Sequence, residues 1–161
     1  MSATPMLWHY TIGQHYQRIL AEKTIRPSTA YIEPASCPVV WFSRNQVFEP
    51  AATRGLITDD GSVEPLTMDE LAVHAAGLYR IGVARETAPH NWDDYVRLSG
   101  LPRDVIIGLR KLAKNKGASL KDWFASFDPV DHTKWLVVEA WQNHTWTHGG
   151  PGAASNIIVH S

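Results

Sequence analysis

Leu7-Trp8-His9-Tyr10-Thr11 and Val39-Val40-Trp41-Phe42-Ser43 are the two stretches on which the fold turns. Each is a short run of aromatic, aliphatic and β-branched residues bounded by turn or helix signals, and so reads as a strand. One carries a histidine near its end and the other a serine, about thirty residues apart. A third run, Trp135-Leu136-Val137-Val138-Glu139-Ala140-Trp141, reads as a strand with one carboxylate near its far end. Strands that bring a histidine, an aromatic-serine pair and a glutamate into one cleft suit a site that grips a polar ligand.

Composition bounds the rest. The chain has 161 residues, enough to bury one substantial core, and residues 1–161 are expected to form a single domain. Its 44% hydrophobic and 19% charged residues are an ordinary globular balance. A formal net charge of -1 supplies no global field for nucleic acid or a membrane surface. Seven tryptophans are mainly core material, although their N–H groups also suit ligand pockets. The single cysteine, Cys37, excludes an internal disulfide and fits a reducing compartment. Residues Met1 to Leu7 lack a basic and apolar leader pattern, so a cytoplasmic protein without a membrane span is expected.

The elements expected along the chain mix helix and strand. Leu7 to Tyr10 should run straight into a helix opened by Thr11-Ile12-Gly13-Gln14, which has capping-box form. Pro34, Ser36 and Pro38 frame a loop ahead of the Val39–Phe42 strand. Residues 44–66 lack a period and read as a long irregular segment, of the kind that forms lids or stays mobile. Thr67-Met68-Asp69-Glu70 is a second capping box, and Leu78 to Ala84 a strand. Pro102 suits a first helical position, with Val105, Leu109 and Leu112 as the apolar stripe and Gly117 as the cap. A short helix from Ser119 should carry Trp123, Phe124 and Phe127. Asn143-His144 reads as a turn between the Glu139 strand and a partner strand, Thr145 to Thr147. The apolar run Ile157-Ile158-Val159 could be a strand of this sheet or of a second copy in a homo-oligomer.

The His9-Tyr10-Thr11, Trp41-Phe42-Ser43 and Glu139 pattern resembles the ADP-ribosyltransferase superfamily. It is most similar to the branch of DNA-modifying ADP-ribosyl toxins and RNA 2'-phosphotransferases, which open with a comparable His-x-Thr or His-x-Ser. The resemblance covers roughly the first fifty residues and the Glu139 strand; residues 55–130 have no counterpart in it. It implies an α+β fold with a small split antiparallel sheet flanked by helices, and NAD as the cofactor. By the same resemblance, His9 would hydrogen-bond a ribose hydroxyl, with Tyr10 and Thr11 beside it. Trp41 or Phe42 would face the nicotinamide ring, and Ser43 would brace the catalytic carboxylate or contact the amide. Glu139 would be that carboxylate, stabilising the oxocarbenium-like ribosyl cation formed when nicotinamide leaves. The pattern departs from the family at Tyr10, where many transferases have glycine, and at Val137, where a second acidic or glutamine residue is usual. Arg18, Arg26 and Arg44 are the candidate phosphate contacts.

Each of these residues also has a structural role open to it. His9 can be a hydrogen-bonded histidine at a helix entrance, Ser43 a turn cap, and Glu139 a surface-edge carboxylate. Two other functions therefore stand beside the transferase: a non-catalytic nucleotide- or protein-binding member of the same fold, and an interaction protein with a Trp-rich core. The histidines His132, His144, His148 and His160 do not complete a zinc set, and no metal is expected. Between Arg97 and Lys121 seven basic residues face Asp104 alone, while residues 33–70 hold seven acids against Arg44 and Arg54. That polarity is either a solvated helix face or a flank that guides a phosphate-rich ligand or a nucleic-acid acceptor. The acceptor, protein, nucleic acid or water, is not written in these motifs.

Overall fold

The three aromatic runs are strands of one sheet. In chain order the computed structural model comprises β1 (Leu7–Ile12), α1 (Gly13–Glu22), β2 (Thr24–Ile25), β3 (Val40–Ser43), β4 (Gly55–Ile57), β5 (Val63–Pro65), α2 (Met68–His74), β6 (Leu78–Val83), β7 (His90–Asn91), α3 (Trp92–Ser99), α4 (Arg103–Asn115), β8 (Trp123–Ser126), β9 (Val130–Asp131), β10 (Trp135–Gln142) and β11 (Thr145–His148). The structure describes residues 5–28, 37–52 and 55–148. Pro34, Ser36, Gly149–Gly152, the 157–159 run and His160 lie outside them. No helix among the described residues is long and apolar enough to cross a membrane.

The fold is α+β. Seven strands join in the order β11-β10-β6-β1-β3-β8-β7, every neighbouring pair antiparallel. The sheet is thus larger than the small one expected, and it is continuous. Its ladder is uneven, however. β1 pairs with β6 at all six of its residues, whereas β1 meets β3 at a single pair, Trp8 with Ser43. The two strands part on either side of that pair.

The helices change sides at the same place. Leu7, Tyr79, Ile81, Val83, Val138 and Ala140 pack with Tyr16 and Ile19 of α1 on one face of the β1-β6-β10 half. Tyr16 stacks on Tyr79 with ring centroids 3.8 Å apart, fixing α1 on that face. In the β3-β8 half it is the opposite face, carrying Trp41, Trp123 and Ala125, that packs against Trp92 and Tyr95 of α3 and Leu109 of α4. Val40, Phe42 and Phe124 belong to the α1-side core as well, so the β3-β8 half is packed on both faces and the second layer begins at the β1/β3 junction.

Several local expectations are corrected by packing. Thr11 does not cap α1: it stays in β1, paired with Tyr79 and buried. Ile12 is the N-cap and makes no side-chain cap bond. The helix start is instead held by the Gly13 N–H, which donates to the Ala75 and Gly77 carbonyls at 3.1 and 2.9 Å. Trp123 and Phe124 are not helical; register with Ser43 and Phe42 draws them into β8. In α4 the buried stripe is Ile106, Leu109 and Ala113, which keeps Leu109 and replaces Val105 and Leu112 by the residues after them, with Pro102 as N-cap rather than first helical residue. A bulge at Leu136 turns Trp135 onto the same face as Val138 and Ala140, so simple alternation fails there. The Thr67 capping box forms with both reciprocal bonds. The Asn143-His144 turn has both residues at positive φ, as a two-residue hairpin of this hand requires.

Gly13 tests this account of the fold. An added Cβ would fall 2.0 Å from the Ala76 backbone carbonyl oxygen, in a segment that the Gly13 N–H holds close by its bonds to the Ala75 and Gly77 carbonyls on either side. Gly13→Ala should therefore lower unfolding stability by about 3 kcal/mol or more, in the range of overpacked sites, despite alanine's better helix propensity. A urea melt measures it; an unchanged midpoint would refute the junction described here.

Candidate functional site

The gap between β1 and β3 opens into a cleft of about 210 Å³. His9, Tyr10, Thr11, Trp41, Phe42 and Ser43 all line it, together with Glu49, Leu109 and Trp123. Its rim is formed by His15, Arg18 and Glu22 of α1 and by Arg26. Six of the seven residues predicted from sequence thus line it where the strands part, His9, Thr11 and Phe42 from the α1 face of the sheet and Tyr10, Trp41 and Ser43 from the opposite face. Glu139 does not line it.

His9 occupies the place where the β1/β3 ladder lapses. Its Nδ1 lies 2.9 Å from the Trp41 carbonyl oxygen. A carbonyl only accepts, so Nδ1 carries the proton, and the neutral ring presents its Nε2 lone pair as an acceptor. Burial lowers the His9 pKa below 6.5, only partly opposed by that hydrogen bond, and the nearby His15 lowers it further. The ring is therefore neutral at pH 7. The edge of Phe42 packs on it at 5.7 Å. Phe42 itself is core, and Trp41 is clamped by Tyr95, Trp123 and Trp92 at 4.7, 5.6 and 6.4 Å. The aromatic wall is rigid.

Ser43 and Tyr10 are anchored by the segment that follows β3. The Ser43 hydroxyl donates to Glu49 Oε1 at 2.8 Å. That carboxylate also accepts from the Asn45 amide at 3.1 Å and from the Ala51 N–H at 2.8 Å. Tyr10, alternating to the face opposite His9, donates to the Asn45 carbonyl at 2.5 Å and packs on Phe48 and Trp146. Burial pushes its phenol up to about 12, so it remains a neutral donor. Residues 44–52 are consequently no loose lid. Trp8 donates to Gln46, Gln46 to the Met6 carbonyl, Trp146 to the Val47 carbonyl, and Lys116 to the Ala51 carbonyl.

Glu139 sits two strands from β1, opposite Arg80 in register. Arg80 Nε and a terminal nitrogen converge on Glu139 Oε1 at 2.7 and 2.6 Å. The same guanidinium lies over the Trp8 ring at 3.7 Å and the Trp146 ring at 4.4 Å, and donates to the Gln46 carbonyl at 2.5 Å. Gly82 makes this possible, since a Cβ there would come within 2.9 Å of the Trp8 ring. The carboxylate expected in the cleft is instead the counter-ion of a buried arginine. Of the candidate phosphate contacts, Arg18 and Arg26 border the cleft and share Glu22, while Arg44 is turned to Asp122 at 2.7 Å.

Outside the cleft, the exposed side of α4 carries Arg103, Arg110, Lys111 and Lys114, none of them in an ion pair among the described residues. His144 is bonded to Asp69 at 2.6 Å, and no three metal-ligating side chains converge among the described residues. Glu49 is the functional candidate that sequence reading missed. It falls in an aperiodic stretch, and the only sequence signal for it was a carboxylate six residues after the strand-ending serine.

Two predictions follow from these charges. Because unfolded His9 titrates near 6.5 and folded His9 below it, the unfolded chain binds more protons as pH falls through that window, and stability drops. Between about pH 7.5 and 5.5, wild type should lose stability that His9→Gln retains, read from urea melts at each pH. Glu139→Ala leaves Arg80 buried without its counter-ion and should cost about 3 kcal/mol, much of it recovered by also changing Arg80→Met. A Glu139→Ala protein as stable as wild type would show that the ion pair holds nothing. No protein-family model, curated protein or solved structure matches the chain in comparisons with each.

Proposed function

We propose that the β1/β3 cleft binds NAD or a closely related nucleotide, and that the chain cleaves the nicotinamide–ribose bond as an ADP-ribosyltransferase or NAD glycohydrolase. The observation that carries this reading is the convergence of His9, Thr11 and Phe42 on one side of a cleft that Ser43 lines from the other, with His9 held as a neutral acceptor. A neutral imidazole whose Nδ1–H is already spent on a backbone carbonyl has one thing to offer a ligand: an acceptor for a hydroxyl, as on a ribose. The cleft is apolar and aromatic on its β3 side, which suits a flat heteroaromatic ring. Arg18 and Arg26 at the rim suit phosphate oxygens once Glu22 is displaced from them.

The removal of Glu139 from the cleft favours one second reading, a nucleotide-binding protein that does not turn its ligand over. Both readings meet the same experiment. NAD is titrated while tryptophan fluorescence is followed, since Trp41 and Trp123 line the cleft, and free nicotinamide is then assayed. The transferase reading expects saturable quenching and nicotinamide release, with His9→Ala weakening binding by about tenfold, the worth of one buried hydrogen bond. Binding without release selects the non-catalytic protein. No binding at all rejects both.

A further inference from the structure

We infer that Glu49, not Glu139, is the carboxylate that stabilises the ribosyl cation, an assignment that rests on the cleft being an NAD site. Glu49 is 7% exposed, lines the cleft, and forms no ion pair among the described residues. Three donors hold it: the Ser43 hydroxyl and the Asn45 amide on Oε1, and the Ala51 N–H on Oε2. A carboxylate offers about four acceptor positions, so one on Oε2 remains open. A buried carboxylate held by neutral donors, with no ion pair among the described residues, is expensive in a purely structural role, where a neutral glutamine would serve. Opposite a developing cation it is preorganised. Glu139 has the reverse setting, its charge already matched by Arg80.

The step balances simply. The C1'–N bond of NAD breaks with its electron pair going to the pyridinium nitrogen, which leaves as neutral nicotinamide. The positive charge passes to C1' and the ring oxygen of the ribose, beside the Glu49 carboxylate. Water then adds to C1', and its proton passes to Glu49 and on to solvent. His9, being neutral, does not oppose the charge that Glu49 stabilises.

NAD binding and nicotinamide release are measured together on wild type, Glu49→Gln and Glu139→Gln. Glu49→Gln should bind NAD within about threefold of wild type and release nicotinamide about a hundredfold more slowly, the usual cost of removing one preorganised electrostatic group. Glu139→Gln should release it at near the wild-type rate; if that variant does not fold, Arg80→Met with Glu139→Met replaces it. Ser43→Ala removes a donor that orients the carboxylate while leaving the carboxylate in place, so nicotinamide release should slow about tenfold with NAD binding within about threefold of wild type. A merely structural Glu49 would leave the release rate of Ser43→Ala where it is. Equal turnover by wild type and Glu49→Gln overturns the assignment while leaving the NAD reading intact. A wild type that does not bind NAD overturns both.

Discussion

The rest of the structure hangs on the burial of Arg80. One guanidinium joins β6 to β10 through Glu139, to β1 through the Trp8 face, to β11 through the Trp146 face and to the post-β3 segment through the Gln46 carbonyl. A buried cation is tolerable only when its donors are satisfied and its charge is matched, and here both conditions hold. The geometry suits arginine: its planar head stacks between two indoles while its edge donates to a carboxylate and a carbonyl. Lysine in that place would satisfy neither the stacking nor the fork. Trp8 is positioned by the same constraint, which in turn requires glycine at position 82.

What Arg80 holds still is the segment that shapes the cleft. Gln46 takes bonds from Arg80 and from Trp8, and Tyr10 holds the neighbouring Asn45 carbonyl. The chain from Arg44 to Ala52 is thereby fixed on the sheet, and Glu49 is delivered to Ser43. The cleft itself arises from a different cause. α1 covers one face of the β1-β6-β10 half, and α3 with α4 covers the other face of the β3-β8 half. At the seam the strands part, and the His9 side chain bonds the Trp41 carbonyl across it. The opening is a product of topology, and the rigidity of its wall comes from the network around Arg80.

Much of this was legible in the residues, and the failures have a common form. β1, β3, β6, β10 and the final hairpin follow from aromatic and β-branched runs bounded by turn residues, which is local information. His9, Thr11, Phe42 and Ser43 could be grouped because each sits on such a strand. Three readings failed because the deciding contact was distant in sequence. Trp123 and Phe124 follow helix-like residues but pair with Ser43 and Phe42, some eighty positions earlier. Glu139 was read as a buried carboxylate in need of a purpose, and its purpose was Arg80, unremarked in an apolar strand. Residues 44–52 looked irregular because their order depends on side chains bonding backbone carbonyls, which leave no periodic trace. Thr11 is the local exception: its capping pattern was genuine, but pairing with Tyr79 and burial in β1 outweighed it.

The placement of charge gives the cleft a direction. Inside, Glu49 forms no ion pair among the described residues, while His9 and Tyr10 are held neutral by burial. At the rim, Arg18 and Arg26 share one carboxylate among the described residues, Glu22, and so present an excess of positive charge towards solvent there. A molecule with a cationic ring at one end and phosphates further along meets a complementary field only in one orientation, ring inward and phosphates at the rim. Reversed, it would set phosphate against Glu49 and a pyridinium against two arginines. At an effective dielectric of about 20, two like charges 4 Å apart repel by about 4 kcal/mol, so like-charge contact of that kind disfavours the reversed pose. The Arg80–Glu139 pair matters here by what it withholds. By cancelling its own charge inside the sheet, it leaves Glu49 as the carboxylate that sets the polarity of the cleft.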